Sequence, residues 1–160
     1  MAIKVGDKVP AATFKALTSD GMSDQTTADI FSGKKVVLFA VPGAFTPTCS
    51  NNHLPGFVEH ADAILAKGVD TIACISVNDP FVMSAWGQER GVGDKVLMVA
   101  DGNGDFTKAM GLEMDGSGFG LGARSQRYAL VAEDGVVKHL AVDEGGKLED
   151  SKAEAILSVL

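Results

Sequence analysis

The sequence of 160 residues predicts an α/β domain in which helices cover both faces of a central β-sheet. The first indication is an uninterrupted apolar run at residues 36–41, typical of a central strand that is covered on each side. The second is the alternation of strand-like and helix-like segments, and the third is a hairpin and a helix that close the chain. Residues 1–160 contain no linker, repeat or low-complexity segment, so we expect a single domain.

Five segments are predicted to be strands because they are short, apolar and rich in β-branched residues. The dipeptide Asp134-Gly135 separates the last two and is typical of a two-residue hairpin turn. The predicted strands cover residues 35–41, 71–77, 96–100, 127–132 and 136–142.

Three segments are predicted to be helices. Apolar residues recur at helical spacing through residues 57–65, which predicts one continuous helix. Asp79 followed by Pro80 is a typical helix start, with a capping side chain and a proline in the first turn. Ser151 and Glu154 have the spacing of a capping box, which predicts a helix at the end of the chain.

Charge and composition disfavour several functional classes. A net charge of −7 argues against a partner that is duplex nucleic acid or an anionic membrane surface. The longest clear apolar run, residues 36–41, is too short to cross a bilayer, and residues 1–8 lack the continuous apolar core of a signal peptide. Two cysteines do not make a disulfide framework, so we expect a reducing, cytoplasmic location.

Cys49 is the strongest candidate for chemistry. It follows the strand at residues 36–41 and a loop that contains proline and glycine, at the expected start of a helix. A helix start favours a reactive thiolate through its unpaired N–H groups and positive dipole end. Thr46 lies three residues earlier and is expected to share the pocket. The alternative is a small buried core residue, but the Pro-Thr before Cys49 and the Ser-Asn-Asn after it argue against a core position.

The helix end alone does not explain a reactive thiolate, so we expect a cation nearby. Helix-end stabilisation contributes about 0.3–2 kcal/mol, whereas lowering a cysteine pKa from about 8.5 to about 6 requires about 3.4 kcal/mol. A charge-assisted hydrogen bond adds about 1.5–3 kcal/mol. Arg124 and Arg127 stand at the entry to a predicted strand, and residues three apart in an extended chain face opposite sides. Only one of them is therefore expected to turn inward, and Arg90 is expected at the surface.

Two further residues allow more than one interpretation. Cys74, in the predicted strand 71–77, is either a structural core residue or a partner thiol for Cys49, which requires Cα atoms within about 7 Å. Cys49 and His53 are four residues apart and could share a helix face as metal ligands, but no second pair has zinc spacing, so we expect no metal. The glycine-rich residues 116–122 precede a strand rather than a helix, so we expect no nucleotide cofactor.

Two segments carry a family resemblance. Residues 42–50 read Pro-Gly-Ala-Phe-Thr-Pro-Thr-Cys-Ser, and residues 53–57 continue with His-Leu-Pro-Gly-Phe. This pattern resembles the active-site signature of peroxiredoxins, in the type II (peroxiredoxin five-like) subfamily, and the similarity extends through residues 76–82 and 124–128. The resemblance implies a thioredoxin-like fold and the thiol-dependent reduction of hydrogen peroxide and alkyl hydroperoxides.

The resemblance also implies roles for individual residues. Cys49 would be the nucleophile that becomes a sulfenic acid, Thr46 would hold the peroxide, Pro42 would shield the sulfur and Arg124 would be the cation. The implied substrate pocket includes Gly43, Phe45, Thr48 and Phe119. Members of this type are often homodimers, with the loop around Phe45 near the contact.

The reductant and the rival functions stay open at this stage. No cysteine follows Cys74, so the sulfenic acid would be recycled either through Cys74 or directly by glutathione, a glutaredoxin or thioredoxin. A cysteine hydrolase or acyltransferase would need a histidine base near the sulfur, and His53, His60 and His139 are the candidates. A thioredoxin-fold binding module without catalysis is the third interpretation.

Overall fold

The computed structural model describes residues 2–144 and 147–160. Its nine strands, numbered along the chain, are β1 (Thr13–Thr18), β2 (Gly21–Thr26), β3 (Lys35–Ala40), β4 (Thr71–Ser76), β5 (Leu97–Ala100), β6 (Glu113–Asp115), β7 (Ala123–Ser125), β8 (Arg127–Glu133) and β9 (Val136–Asp143). Seven of them form one sheet in the order β2-β1-β5-β4-β3-β8-β9, and β6 pairs with β7 in a separate ribbon. Strands β3, β4 and β5 are parallel, whereas β1, β2, β8 and β9 pair antiparallel with their neighbours.

The helices are short. They are α1 (Thr27–Phe31), α2 (Leu54–Glu59), α3 (Ala61–Leu65), α4 (Pro80–Glu89), α5 (Asp105–Met110) and α6 (Ala153–Leu157). A π-helical turn (Cys49–His53) leads directly into α2, and a 3₁₀ turn (Ser117–Phe119) lies between β6 and β7.

Alternate residues of the central strands pack into two separate hydrophobic clusters, one on each face of the sheet. On β8, Ala129 and Val131 face the cluster that holds Cys49 and the apolar residues of α2, α3, α4 and α6. Tyr128, Leu130 and Ala132 of the same strand face the cluster built with α1 and α5. The predicted α/β arrangement, a central mixed sheet with helices on both faces, is confirmed.

One predicted helix start agrees with the structure, and one predicted helix is interrupted at a residue with non-helical backbone angles. The N–H of Val82 donates to Asp79 Oδ1 at 2.8 Å, which confirms the predicted start of α4. The predicted helix at residues 57–65 is instead two helices, because His60 leaves the helical region with φ −95° and ψ 6°. The hairpin is confirmed, with Asp134 and Gly135 both at positive φ (49° and 78°).

The predicted capping box before α6 is wrong. Lys152 occupies the N-cap position without a side-chain hydrogen bond, and the helix begins at Ala153. The Ser151 hydroxyl instead donates to Asp143 Oδ2 at 2.6 Å. The Ser151 hydroxyl, which local spacing assigned to the start of the helix, is therefore hydrogen-bonded to the end of β9 instead.

Within residues 2–144 and 147–160, none of the helices has the length and apolar character needed to cross a membrane.

Candidate active site

Cys49 lies at the first position of the π-helical turn and is 0% exposed. Strand β3 ends at Ala40, and the loop that follows returns the chain over the sheet so that the turn packs into the core cluster. The N–H of Leu54 donates to the Cys49 carbonyl, which closes the wide turn. Such π-turns occur preferentially at functional sites. The site is thus a thiol enclosed by protein.

Arg127 supplies the cation at this thiol. Its Nη2 donates to Cys49 Sγ at 3.1 Å, and the residue is only 4% exposed. Arg127 is the first residue of β8, and it has the same parity as Ala129 and Val131, which face the Cys49 cluster. A buried guanidinium in contact with sulfur stabilises the thiolate form by a charge-assisted hydrogen bond.

The prediction that Arg124 rather than Arg127 reaches the sulfur is wrong. Arg124 lies on β7, in the small ribbon, where its Nε donates to the Leu121 carbonyl at 2.9 Å. Its Nη1 lies 3.5 Å from the carbonyl oxygen of Pro42. Arg124 therefore touches the loop that precedes Cys49, and the chain turns between β7 and β8 so that Arg127 enters the core.

The loop from Pro42 to Thr46 is held in a compact conformation. The Thr46 hydroxyl donates to the Gly43 carbonyl at 2.7 Å. A Cβ atom at Gly43 would lie 3.1 Å from Thr46 Cγ2 and 3.2 Å from Arg124 Nη1, so a larger residue would require these side chains to shift slightly. The structure thus brings Pro42, Gly43, Thr46 and Arg124 together in and against the loop that precedes Cys49.

Asn78 supports this loop and was not assigned a role from the sequence. Its Oδ1 accepts the Ala44 N–H at 3.0 Å and the Ser76 hydroxyl at 2.6 Å. The contact joins the end of β4 to the loop after β3, two parallel neighbours in the sheet. Polar residues that follow adjacent parallel strands meet at one edge of a sheet, and this pattern could have identified Asn78.

Helix α4 holds the first turn after the thiol. Ser50 Oγ accepts Trp86 Nε1 at 3.1 Å and Arg90 Nε at 2.9 Å. Arg90 Nη2 also lies 3.3 Å from Asn51 Oδ1. Arg90, which was expected at the surface, is partly exposed and also contacts the turn that begins at Cys49. Two donors on one hydroxyl fix the residue next to Cys49.

His53 closes the π-helical turn, is 1% exposed and faces Arg127 rather than the sulfur. Its Nδ1 lies 2.8 Å from Arg127 Nη1, and its Nε2 lies 3.0 Å from the Ser151 carbonyl oxygen. Burial, and secondly the charge of Arg127, lower the pKa of His53 to about 3. Both ring nitrogens of His53 are therefore engaged by partners other than Cys49.

Cys74 lies in the middle of β4, paired with Phe39 of β3 and Met98 of β5. It is also 0% exposed and belongs to the same core cluster as Cys49. Burial, and secondly the charge on Cys49, raise the pKa of the Cys74 thiol, while Arg127 acts in the opposite direction. Both cysteines are free thiols.

Three aromatic side chains are exposed, one of them, Phe45, in the loop before Cys49. Phe45, 46% exposed, has a φ of 65°, an unusual value for a side chain of this size, and its ring centroid lies 6.4 Å from that of Trp86. Phe81, in the first turn of α4, is 59% exposed. Phe119, 86% exposed, leaves most of its ring in solvent rather than against Cys49. Thr48 is half-buried at the cap of the π-turn.

The arrangement unites a buried thiol, a buried cation and a hydroxyl-bearing loop. In residues 2–144 and 147–160, no group of three or more His, Cys, Asp or Glu side chains is placed to hold a metal ion. His60, another candidate base, pairs with Glu154 at 2.9 Å on the surface. The geometry is suited to nucleophilic attack by sulfur without a histidine base.

Comparison with known proteins agrees with this chemistry. The Redoxin family model matches residues 4–157. Peroxiredoxin-2E-2, chloroplastic, of Oryza sativa subsp. japonica is 56% identical over 163 residues, covering 99% of this chain and 72% of that protein. Peroxiredoxin-2B of Arabidopsis thaliana is 48% identical over 159 residues, covering 99% of this chain and 98% of that protein.

A solved structure gives the same answer for the fold. Reduced Prx3 in complex with H₂O₂ from Vibrio vulnificus aligns with a TM-score of 0.94 and 54% identity, covering 98% of each chain. The predicted thioredoxin-like fold and the predicted thiol-dependent peroxidase activity are confirmed. The chain belongs to the redoxin family and, within it, to the type II peroxiredoxins.

Proposed function

We propose that Cys49 is the nucleophile of the thiol-dependent peroxidase reaction. The observation that carries the proposal is the 3.1 Å hydrogen bond from Arg127 Nη2 to Cys49 Sγ, between side chains of residues that are 4% and 0% exposed. A cation that donates to sulfur at a water-excluded site favours the thiolate, which is the reactive form.

In the proposed reaction, the Cys49 thiolate attacks one oxygen of the hydroperoxide, an S–O bond forms and the O–O bond breaks. Sulfur is oxidised by two electrons to a sulfenic acid. The departing oxygen takes up a proton and leaves as water or as an alcohol. Negative charge develops on that oxygen, so preorganised donors around it lower the barrier.

Thr46 and Arg127 are proposed to orient the peroxide. Because the Thr46 hydroxyl donates to the Gly43 carbonyl, its lone pairs are available to accept the peroxide O–H. Arg127 would move charge stabilisation from sulfur to the departing oxygen as the S–O bond forms. Pro42 is proposed to exclude water from the sulfur, and Arg124, at the Pro42 carbonyl, to stand at the mouth of the pocket.

The pocket for the rest of the substrate is proposed to include Gly43, Phe45 and Thr48. All three belong to the segment between β3 and the π-helical turn, which also carries Thr46 and leads directly to Cys49. Phe45 is 46% exposed and can contact an alkyl group at the entrance. Hydrogen peroxide and alkyl hydroperoxides are the proposed substrates.

We propose that an external thiol, either glutathione with a glutaredoxin or thioredoxin, reduces the sulfenic acid. Cys49 is 0% exposed, so the π-helical turn must open before a bulky thiol reaches the sulfur. Cys74 is the alternative partner, but β3 and β5 hold its backbone, and burial raises the pKa of its thiol. These features support the external route.

The test combines peroxide consumption with mass spectrometry. Wild type, Cys49→Ser and Cys74→Ser are mixed with one equivalent of hydrogen peroxide, with and without glutathione. We expect consumption to disappear only in Cys49→Ser, and the wild type to show a sulfenic acid or a glutathione adduct at Cys49. A Cys49–Cys74 disulfide as the main product would reject the external route, and consumption by Cys49→Ser would reject the nucleophile.

Homodimer formation is proposed from three exposed aromatic residues, of which Phe45 lies in the loop before Cys49. Phe45, Phe81 and Phe119 are 46%, 59% and 86% exposed. Clusters of exposed large apolar side chains often mark protein interfaces. Sedimentation equilibrium of the wild type and of Phe81→Ser tests the proposal, and a monomeric wild type at micromolar concentration would contradict it.

A reducing compartment such as the cytoplasm is proposed because both cysteines are free thiols. Peroxiredoxin-2E-2 of Oryza sativa subsp. japonica carries the word chloroplastic in its name, so the chloroplast is the competing location. Fractionation of source cells, followed by detection with an antibody, distinguishes the two.

A further inference from the structure

His53 is a buried polar residue that the proposed reaction does not use. It is fixed on three sides, by Arg127 at Nδ1, by the Ser151 carbonyl at Nε2 and by two aromatic rings. The ring centroids of Phe39 and Phe57 lie 5.0 Å and 5.6 Å from that of His53. The question is why a histidine occupies this position.

The hydrogen bonds determine the tautomer. A backbone carbonyl only accepts, so Nε2 carries the proton that is donated to Ser151. Nδ1 is therefore the acceptor, and Arg127 Nη1 is the donor, at 2.8 Å. The depressed pKa of His53, about 3, agrees with a neutral ring at physiological pH.

The acceptor for His53 is itself held in place. Asp143 Oδ2 accepts both the N–H of Ser151, at 3.0 Å, and its hydroxyl, at 2.6 Å. Asp143 also accepts the N–H groups of Glu149 and Asp150. Ser151 is 0% exposed, so its carbonyl presents a fixed acceptor to the ring. A continuous chain of hydrogen bonds thus runs from the end of β9 to the guanidinium.

A neutral acceptor has a specific consequence at a buried guanidinium. Arg127 has its Nη2 on Cys49 and its Nη1 on His53. A buried N–H group needs a partner, but a carboxylate at Nη1 would pair with the guanidinium charge and weaken its field at the sulfur. The neutral ring satisfies the N–H group and leaves the whole positive charge for the thiolate.

We propose that His53 is a positioning residue, which orients the Arg127 guanidinium on Cys49 and, as a neutral acceptor, preserves its charge for the thiolate. The proposal rests on the proposed role of Cys49 as nucleophile. It predicts that the chemistry of residue 53 changes thiolate reactivity even though the ring does not contact the sulfur.

The experiment compares His53→Asn, His53→Asp and His53→Leu. Asn keeps a neutral acceptor near the position of Nδ1, Asp has the same shape with a negative charge, and Leu removes the acceptor. The first readout is the pH midpoint of Cys49 alkylation by iodoacetamide without peroxide, and the second is the rate of sulfenic acid formation.

We expect Asn to stay within about threefold of wild type in peroxide rate, because a neutral acceptor remains. Leu should raise the alkylation midpoint by about one pH unit and slow the peroxide reaction about tenfold, and Asp should raise the midpoint further. Equal midpoints for Asn and Asp would reject the charge argument, and equal midpoints for Asn and Leu would reject positioning.

Two controls keep the outcomes separable. Thermal unfolding of each variant identifies a variant that does not fold, and if Leu fails, the isosteric pair Asn and Asp still decides. Loss of peroxide consumption in Cys49→Ser tests the nucleophile independently of residue 53. If Cys49→Ser loses peroxide consumption but all His53 variants have identical alkylation midpoints, the role of His53 is rejected and the proposed nucleophile stands.

Discussion

Cys49 and Cys74 are both 0% exposed and belong to one core cluster, yet their surroundings give them different chemistry. Arg127 donates directly to the Cys49 sulfur at 3.1 Å. At Cys74, burial raises the pKa of the thiol, and the charge of Arg127 only reduces that effect. Burial alone disfavours a thiolate, whereas a direct donor from a cation favours it.

The backbones of the two cysteines also differ in their freedom to move. Cys74 is paired on both sides by parallel strands, so its position depends on the whole sheet. Cys49 begins a five-residue turn, and the next residue, Ser50, is held by side-chain donors from α4. Such contacts break more readily than a sheet, which suits the proposed role of Cys49, since its sulfur would have to become accessible to a reducing thiol.

The largest expected effect separates the two cysteines directly. Cys49→Ser should abolish peroxide consumption while the protein still unfolds cooperatively, because serine is nearly isosteric. Cys74→Ser should leave the rate of the first step within about twofold of wild type, since the residue makes no bond to peroxide in the proposed reaction. Stopped-flow measurement of peroxide loss checks both, and a slow first step in Cys74→Ser would mean that the two thiols act together.

The next prediction concerns pH and the histidine beside Arg127. His53 has a pKa of about 3 in the folded protein and an ordinary value of 6.5 when unfolded. Between these values the unfolded chain binds the extra proton, so the free energy of unfolding rises with pH. Stability should fall by about 1.4 kcal/mol for each pH unit below 6.5, and by about 5 kcal/mol in total near pH 3.

Urea unfolding at pH 4.5–7 measures this slope. Asp143 has its pKa lowered as well: burial acts to raise it, but hydrogen bonds from Ser151, Asp150 and Glu149 outweigh that effect. Its contribution is lost below about pH 4, so this window reports on His53. The slope should decrease in His53→Asn and persist in His139→Asn, a matched variant on β9. An unchanged slope in His53→Asn would show that the ring is charged in the folded protein.

Thr46 marks a third difference, since the proposed peroxide site has this hydroxyl in the loop that leads to Cys49. Thr46→Val should slow the reaction with peroxide by about 10²–10³, the usual loss for one transition-state contact. Thr46→Ser should keep most of the rate because it retains the hydroxyl. If the valine variant reacts as fast as wild type, Thr46 serves only to pack against Gly43.

The fold was predictable where local pattern and tertiary structure agree. The apolar run at residues 36–41 is typical of a buried strand, and Asp134-Gly135 is typical of a hairpin turn. Strand β3 and the β8–β9 hairpin therefore follow from the sequence. The β1–β2 hairpin was not predicted, because β2 has no fully buried residue and hence no clear apolar alternation. Local pattern reports burial, so it misses strands at an exposed sheet edge.

The site was predictable at Cys49 and less so around it. Motif spacing grouped Cys49, Thr46, Pro42 and Gly43 as candidates, because they all lie within residues 42–49. Arg127 contacts Cys49 across a separation of 78 residues, and local spacing carries no information about such a contact. The alternation along β8 was the available signal, since it places Arg127 on the same face as residues 129 and 131.

The last prediction tests the two arginines, whose contacts with the site differ most clearly. Arg127→Met and Arg124→Met each remove the charge and keep most of the side-chain volume. Loss of the bond to Cys49 in Arg127→Met should cost about 1.5–3 kcal/mol, which moves the pH midpoint of Cys49 alkylation upward by about one to two units. Arg124→Met should move it by less than about half a unit, because Arg124 Nη1 lies at the Pro42 carbonyl.

Arg127→Lys is the matched control, because it keeps the positive charge but not the planar shape of the guanidinium. Arg127→Lys should bring the alkylation midpoint closer to the wild-type value than Arg127→Met does, but it should recover only a fraction of the peroxide rate. An ammonium group cannot bond Cys49 and His53 in the planar geometry of a guanidinium. If Arg124→Met gives the larger midpoint shift, Arg124 is the cation of the reactive state, and the Arg127 contact describes only the resting protein. If neither variant shifts the midpoint, the thiolate is stabilised by the backbone of the turn, and the difference between Cys49 and Cys74 comes from their position in the chain rather than from a cation.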